Sequence, residues 1–312
     1  MKIVVTGALG HIGSHVVRVL PASFPNADIV MIDNLMTQRF ASLFELPAIG
    51  RYRFVEADVR KIELDQILDG VQLVVHLAAI TDAAGTADKA EMVEANNFEA
   101  TRAVAECCVR QGARLIMLSS TSVYGPQSSK VSEDCAIDDL RPQSPYAATK
   151  LKEERLLQKL AAETGLRCVC LRFGTIFGTS PGMRFHTAVN KFCWQAAMGQ
   201  PLTVWKTAYH QVRPYLDLID AGRAIAFAIE HDLFDGRVYN VVTLNATVSQ
   251  IVDAIRAFID PIEVTFVDSP IMNQLSYEVA ADRIANKGFA FTGNLLRGIG
   301  DTVALLRAAN AR

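Results

Sequence analysis

The 312 residues are half apolar, with 31 basic against 33 acidic side chains and a formal net charge of -2. A chain of this length can bury a large core, and its near-neutrality removes the long-range attraction that nucleic-acid binders draw on. No apolar run reaches the roughly 18 residues of a membrane span, so neither nucleic acid nor membrane is an expected partner.

The opening Met1-Lys2-Ile3-Val4-Val5-Thr6-Gly7 enters a strand-and-turn pattern directly. It lacks a charged n-region followed by an apolar h-region, so no signal peptide is expected and the location is read as cytoplasmic. Lys2–Thr6, Asp28–Ile32, Tyr52–Glu56, Leu73–His76, Leu115–Ser119 and Cys168–Arg172 read as strands. Several are apolar nearly throughout, as strands covered on both faces are. Helical patterns at Gly10–Leu20, Leu64–Leu68, Glu91–Gln111 and Pro145–Thr164 alternate with them. Pro21 should close the first of these helices, because it lacks an N–H and disfavours α at Leu20. Alternating β and α predicts an α/β fold with a doubly wound, mainly parallel sheet.

Beyond Phe173 the pattern loosens. Gly174–Pro214 reads as a loop plus one helix, Asp217–Glu230 as a helix and Val238–Val242 as a strand. Thr247-Val248-Ser249-Gln250 has capping-box spacing and opens a helix through Phe258; Ile262–Val267 is a further strand. The expected division is 1–173, with 215–242 returning to it, and a smaller interleaved C-terminal lobe of 174–214 and 243–312. The six cysteines (Cys107, Cys108, Cys135, Cys168, Cys170, Cys193) form no C-x-x-C pair and have no His partner at zinc spacing. They read as reduced thiols, with no metal site.

Thr6-Gly7-Ala8-Leu9-Gly10-His11-Ile12-Gly13 follows the first strand and opens the first helix. Gly7 permits a tight turn, Gly10 lets backbone approach a pyrophosphate, and Gly13 lets helix and strand pack closely. The free N–H groups at the helix start, those of His11 and Ile12 among them, then face phosphate. Asp33 ends the second strand twenty residues beyond Gly13, followed by Asn34. A carboxylate there suits the adenosine ribose hydroxyls and repels a 2′-phosphate, and no arginine immediately follows, which favours NAD over NADP.

The spacing G-x-x-G-x-x-G resembles that of the extended short-chain dehydrogenase/reductase family, and within it the nucleotide-sugar epimerases and dehydratases. Ala57-Asp58-Val59 is similar to the family's adenine-contacting turn, and His76-Leu77-Ala78-Ala79 to the strand end beside its cofactor. Asn97-Phe98-Glu99-Ala100-Thr101 resembles its Asn-x-x-Gly-Thr signature, with Ala100 in place of Gly. Ser119-Ser120-Thr121-Ser122-Val123-Tyr124-Gly125 and Ser144-Pro145-Tyr146-Ala147-Ala148-Thr149-Lys150 resemble the two catalytic segments; Leu171-Arg172-Phe173 and Arg213-Pro214-Tyr215-Leu216-Asp217 are similar to later motifs. The resemblance implies a Rossmann-type fold, NAD as cofactor, and a nucleotide-diphosphate sugar, UDP-linked in many relatives, as substrate. It further implies a homodimer through helices 91–111 and 145–164.

Tyr146 and Lys150 are four apart on a helix, so both emerge on one face. A phenol near pKa 10 is a poor base at neutral pH, but a nearby ammonium and the positive ring of oxidised NAD favour the phenolate. Tyr146 could then take a proton from a sugar hydroxyl as hydride leaves the same carbon. Ser120 would hydrogen-bond the reacting oxygen, and by resemblance Lys150 also bonds the nicotinamide ribose. Tyr124 reads as structural or site-lining.

Relatives that eliminate water carry Thr-Asp-Glu just after this serine, and sugar-acid decarboxylases usually a Glu. Here Thr121 and Ser122 fill those slots, and neither is a proton-transfer acid near pH 7. What remains is reversible oxidation at one carbon, most often C4: an epimerase with recycled NAD. A net sugar dehydrogenase or ketoreductase, and a non-catalytic NAD(H)-sensing protein, are the competing readings. For substrate, the resemblance implies Arg213 against the diphosphate, with Ser120, Thr121, Thr175, Arg184 and Asn190 facing the sugar nucleotide. Two departures stand out: Thr175 replaces a common Asn, and 268–274 lacks a second phosphate arginine, for which Arg283 could compensate.

Overall fold

The computed structural model describes residues 1–81, 90–268 and 276–308. The chain alternates as expected through β1 (Lys2–Thr6), α1 (His11–Ser23), β2 (Asp28–Asp33), β3 (Arg51–Glu56), α2 (Leu64–Leu68) and β4 (Leu73–His76). It continues through α3 (Ala90–Gln111), β5 (Arg114–Ser120), α4 (Pro145–Thr164) and β6 (Cys168–Phe173). Then come β7 (Thr175–Phe177), α5 (Ala188–Ala197), β8 (Leu202–Trp205), β9 (Val212–Asp217), α6 (Leu218–Glu230) and β10 (Val238–Val241). The last elements are β11 (Leu244–Thr247), α7 (Val248–Arg256), β12 (Val264–Val267), α8 (Asp282–Ala285) and α9 (Leu295–Ala308).

Seven parallel strands make the main sheet in the order β10-β6-β5-β4-β1-β2-β3. Alternate side chains serve its two faces: Ile3 and Val5 pack with α1 and α6, while Val4 packs with α2, α3 and α4. This is the Rossmann-type doubly wound arrangement. Strand order reverses beside β1, whose neighbours are β2 and β4, and a crevice opens there beyond the carboxyl ends of the strands. A separate core joins α5, α7 and α9 to β8, β9 and β11. Two small sheets, β11-β9-β7 and β12-β8, belong to that side of the molecule.

Three expectations need correction. Helix α1 does not stop at Leu20: it runs to Ser23 with Pro21 inside, and the Phe24 N–H closes it on the Leu20 carbonyl at 2.8 Å. Pro21 forfeits one bond in the last turn, and both it and Leu20 are buried, so packing outweighs the missing donor. The 174–214 segment also holds strands β7, β8 and the start of β9 beside its helix. These are three to six residues long and pair with distant partners, so no local period marks them. The capping box at Thr247 forms as expected, with reciprocal bonds to Gln250, although the helix ends at Arg256 rather than Phe258. All six cysteines are free thiols.

Candidate functional site

The crevice is a cleft of about 630 Å³, within the size range of small-molecule and cofactor sites, and runs from the end of β2 across β1 to the ends of β5 and β6. The glycine turn forms its floor. Gly7 adopts φ +64°, and a Cβ there would stand 2.7 Å from the Ala78 nitrogen. A Cβ on Gly13 would meet the Gly7 carbonyl oxygen at 2.2 Å, so α1 can approach β1 only through this glycine. Gly10 is the N-cap of α1 and offers no side-chain acceptor; no acid sits in the first turn. The helix N-terminus is thus left to an anion from outside. Ile12 lines the cleft. The buried His11 ring lies between the turn and the loop beyond β7, its Nε2 donating to the Gly178 carbonyl at 3.0 Å. Burial pushes its pKa down to about 3, so it is a neutral tether.

At the outer end lie Asp33, Asn34, Asp58 and Val59. The Asp33 carboxylate accepts the Leu9 and Leu35 N–H groups, each at 3.0 Å, which fixes it beside the glycine turn. Asp58 is held by Arg60, with contacts at 2.5 and 3.0 Å. Arg39, six residues beyond Asp33, reaches back into this end of the cleft and its charge acts on Asp33. The sequence stops short of this, since it shows only that no arginine directly follows Asp33, and a loop's return path carries no local signal.

Leu77, Ala78 and Ala79 line the middle. The Thr6 hydroxyl accepts the Leu77 and Ala78 N–H groups at 3.2 Å and is 2.7 Å from His76 Nδ1. That imidazole is neutral, and its Nε2 is buried with no hydrogen-bond partner among the described residues. Burial pushes its pKa down to about 3. Asn97 departs from its expected place. It is buried, and its amide clamps the Ile80 backbone from both sides, at 2.8 and 2.9 Å. It shapes the strand end, while Asn96 and Ala100 of the same helix line the cleft.

Ser120, Tyr146 and Lys150 meet at the inner end. Ser120 ends β5 and accepts hydrogen bonds from the Ser122 N–H (3.2 Å) and hydroxyl (2.8 Å), which leaves its own proton to donate outward. Ser144 caps α4 by accepting the Ala147 N–H at 3.2 Å, and Pro145 occupies the first turn; together they fix where Tyr146 and Lys150 emerge. Lys150 Nζ lies 5.9 Å from the Tyr146 ring centroid and 2.8 Å from Glu153 Oε2. The expected lowering of the phenol does not arise from the protein groups. Burial pushes Tyr146 above its ordinary value, Lys150 pulls it only part of the way back, and Glu153 adds to the rise. Glu153 is the residue the sequence reading misses. Its signal was available, since three residues beyond Lys150 is the same helix face. Tyr124 is structural: buried, bonded to Asn240 at 2.9 Å and covered by Arg172.

On the substrate side, Thr175, Arg184 and Arg213 line the cleft. Arg184 bonds the Thr81 hydroxyl and His186, and its charge reaches Tyr146. Thr121 and Asn190 are not brought there. The buried Thr121 hydroxyl turns inward to the Phe173 carbonyl at 3.3 Å. Asn190 is buried with its amide joining the Gly178 N–H (3.3 Å) to the Arg184 carbonyl (3.0 Å), so it holds the loop that presents Arg184. Arg283 bonds the Val238 carbonyl and pairs with Asp134, away from the cleft. Tyr277, Gln143 and His186 line the site unforeseen. Most of 268–274 lies outside the described residues.

A crevice at the strand-order reversal, floored by an uncapped helix start and closed by a serine, a tyrosine and a lysine, belongs to one class of catalyst: enzymes that seat a nicotinamide dinucleotide across a parallel sheet. The chain is a member of the NAD-dependent epimerase/dehydratase family, whose profile matches residues 3–241, and its cofactor is NAD. It is 30% identical to an uncharacterized UDP-glucose epimerase, YtcB, of Bacillus subtilis (strain 168), over 77% of this chain and 76% of that protein. It is 31% identical to a UDP-glucose 4-epimerase of Azospirillum brasilense, over 74% and 68%. The structure of a UDP-glucuronic acid 4-epimerase from Bacillus cereus in complex with UDP-glucuronic acid and NAD superposes with a TM-score of 0.86 at 26% identity, covering 99% of this chain and 100% of that one. The chain spans less than half the length of the trifunctional plant dehydratase/epimerase/reductases it also matches. Among the described residues no helix is long and apolar enough to cross a membrane.

Proposed function

We propose that this protein is a UDP-sugar 4-epimerase that works through a transient 4-keto sugar, as a cytoplasmic homodimer joined through α3 and α4. In this reading 1–173 and 215–242 hold the dinucleotide, and 174–214 with 243–312 hold the sugar nucleotide. NAD supplies reversible hydride acceptance at the sugar carbon; the chain supplies the rest. Gly7, Gly10 and Gly13 let backbone approach the phosphates, Asp33 faces the ribose, and Asp58 and Val59 face the adenine. Tyr146 takes the hydroxyl proton and returns it, Ser120 donates to the reacting oxygen, and Lys150 orders both. Arg213 and Arg184 offer planar guanidinium groups to the substrate's acidic groups.

One observation carries the choice of reaction. Among the described residues lining the cleft the carboxylates are Asp33 and Asp58, both at the adenosine end, so the sugar end has Ser120, Ser122 and Tyr146 but no acid. Elimination and decarboxylation call for a carboxyl beside Tyr146, and His186, the imidazole that lines this end, is engaged by Arg184; 4-epimerisation needs only Tyr146. Incubating the purified protein with UDP-glucose, UDP-galactose and UDP-glucuronic acid and resolving products by NMR tests the reading, with interconversion of C4 epimers expected. Stoichiometric release of NADH would sink it in favour of a net dehydrogenase.

A further inference from the structure

Behind the reacting face of α4 lies a charge the proposed reaction does not use. Lys150 and Glu153 form an ion pair at 2.8 Å with side chains only 4% and 0% exposed. Glu153 Oε1, beside the Thr101 hydroxyl, makes no well-formed hydrogen bond. Among the described residues the surroundings hold little else that could offset a charge. From β4 comes neutral His76, from α3 Thr101, from β6 the Cys170 thiol, which burial keeps protonated, and from the loop beyond β7 Arg184. Glu154, next on the helix, is already paired with Arg172 at 2.6 Å. The balance among Tyr146, Lys150 and Glu153 is therefore set largely within two turns of α4.

We propose that Glu153 is a positioning residue that cancels the Lys150 ammonium, so that the proton on Tyr146 comes and goes with the charge of the bound dinucleotide. This rests on the dinucleotide reading of the cleft. A buried ammonium needs one counter-anion. Glu153 supplies it, and a phenolate on Tyr146 would be a second, uncompensated anion. Burial pushes Tyr146 and Glu153 up and opposes the charge on Lys150, while the Glu153 carboxylate, with Tyr146 adding to it, outweighs burial at the lysine and keeps it charged. Tyr146 is then a neutral phenol beside a neutral pair. The nicotinamide ring of a bound oxidised dinucleotide would add one positive charge at this end of the cleft, its diphosphate lying at the glycine turn, and would make room for one anion, the phenolate. When the carbinol reacts, its C–H bond breaks with hydride passing to the nicotinamide, and its O–H bond breaks with the proton passing to Tyr146, leaving a ketone. The added positive charge and the phenolate vanish together, so the site is neutral before and after. Without Glu153 it would carry an excess positive charge in both states.

The test is Glu153→Gln, read without turnover. Tyr146 ionisation is followed by near-ultraviolet phenolate absorbance, taken as the difference from the matching Tyr146→Phe protein, with dinucleotide removed. Affinities for NAD and NADH are measured alongside. We expect the phenol to ionise about one pH unit lower in Glu153→Gln, because it becomes the ammonium's counter-ion. The ratio of NAD to NADH affinity should fall about tenfold, since the oxidised ring now enters a positive site. Glu153→Asp, with its carboxylate one methylene farther off, should move both readouts the same way by less, and it serves if the Gln protein does not fold. Unmoved readouts, or a phenol that ionises at higher pH because Lys150 has lost its proton, overturn the proposal. Shifts in a protein that fails to epimerise UDP-sugars leave this inference standing and sink the epimerase reading; the converse result does the reverse.

Discussion

The two ends of the cleft are built on different plans. The dinucleotide end rests on strand ends and one helix start, and its residues come in short runs: 7–13, 33–34, 57–59 and 77–80. The sugar-facing end is assembled from single side chains at 120, 146, 175, 184 and 213, each delivered by a different element or loop. Backbone geometry makes the first end, with glycines that tolerate no Cβ; side-chain orientation makes the second. Damage to the first should therefore appear as lost binding and stability, and damage to the second as lost rate or substrate affinity.

The largest expected effect breaks the second end alone. Tyr146→Phe should lower kcat by about 10³- to 10⁴-fold, roughly 4–5 kcal/mol, while dinucleotide still binds, as measured by steady-state rates alongside NAD titration. Parallel loss of both would mean that Tyr146 is a strut of the binding end.

Acid should strike the first end. Burial depresses the folded pKa of His11 and of His76 to about 3, well below the ordinary histidine value. Both rings are neutral in the fold, so their stabilising contribution is fully present above about pH 6.5 and is lost as pH falls toward 3. Each should cost roughly 2 kcal/mol between pH 7 and pH 5, seen as a lower urea midpoint, and substituting His11 should flatten that slope. Gly13→Ala comes next. Its methyl would fall 2.2 Å from the Gly7 carbonyl oxygen, and separating α1 from β1 should cost about 3 kcal/mol together with NAD affinity.

The same contrast explains what could be read in the sequence. The six N-terminal strands and the glycine turn were legible because their periods and spacings are local, as was Ser144-Pro145 as the start of α4. Arg39 was hidden because its approach to Asp33 depends on how the 34–50 loop folds back. Thr121 and Asn190 misled for the opposite reason. Their positions lie beside the site, but χ rotation sends both polar groups into the scaffold, and no spacing rule reports rotamers. Strands β7, β8 and β9 were invisible because their partners lie 29 to 62 residues away along the chain.

At the sugar-facing end, Arg213→Met should raise KM about 10- to 100-fold with kcat little changed if Arg213 meets the substrate diphosphate as proposed, because a contact to a non-reacting phosphate would be made equally in ground and transition states. A fall in kcat of the same size would bring Arg213 into the reacting centre.

The smallest effect is the sharpest test of where that end stops. Thr121 directly follows Ser120, yet its hydroxyl is buried and donates to Phe173, the last residue of β6. Thr121→Val keeps the shape and leaves the Phe173 carbonyl without that donor, so stability should fall by about 1 kcal/mol. KM and kcat should stay within about twofold, since so small a ratio is well under 1 kcal/mol. If KM rises instead while the melting temperature holds, the hydroxyl faces substrate during turnover, and the boundary drawn between scaffold and site at the end of β5 lies one residue too early.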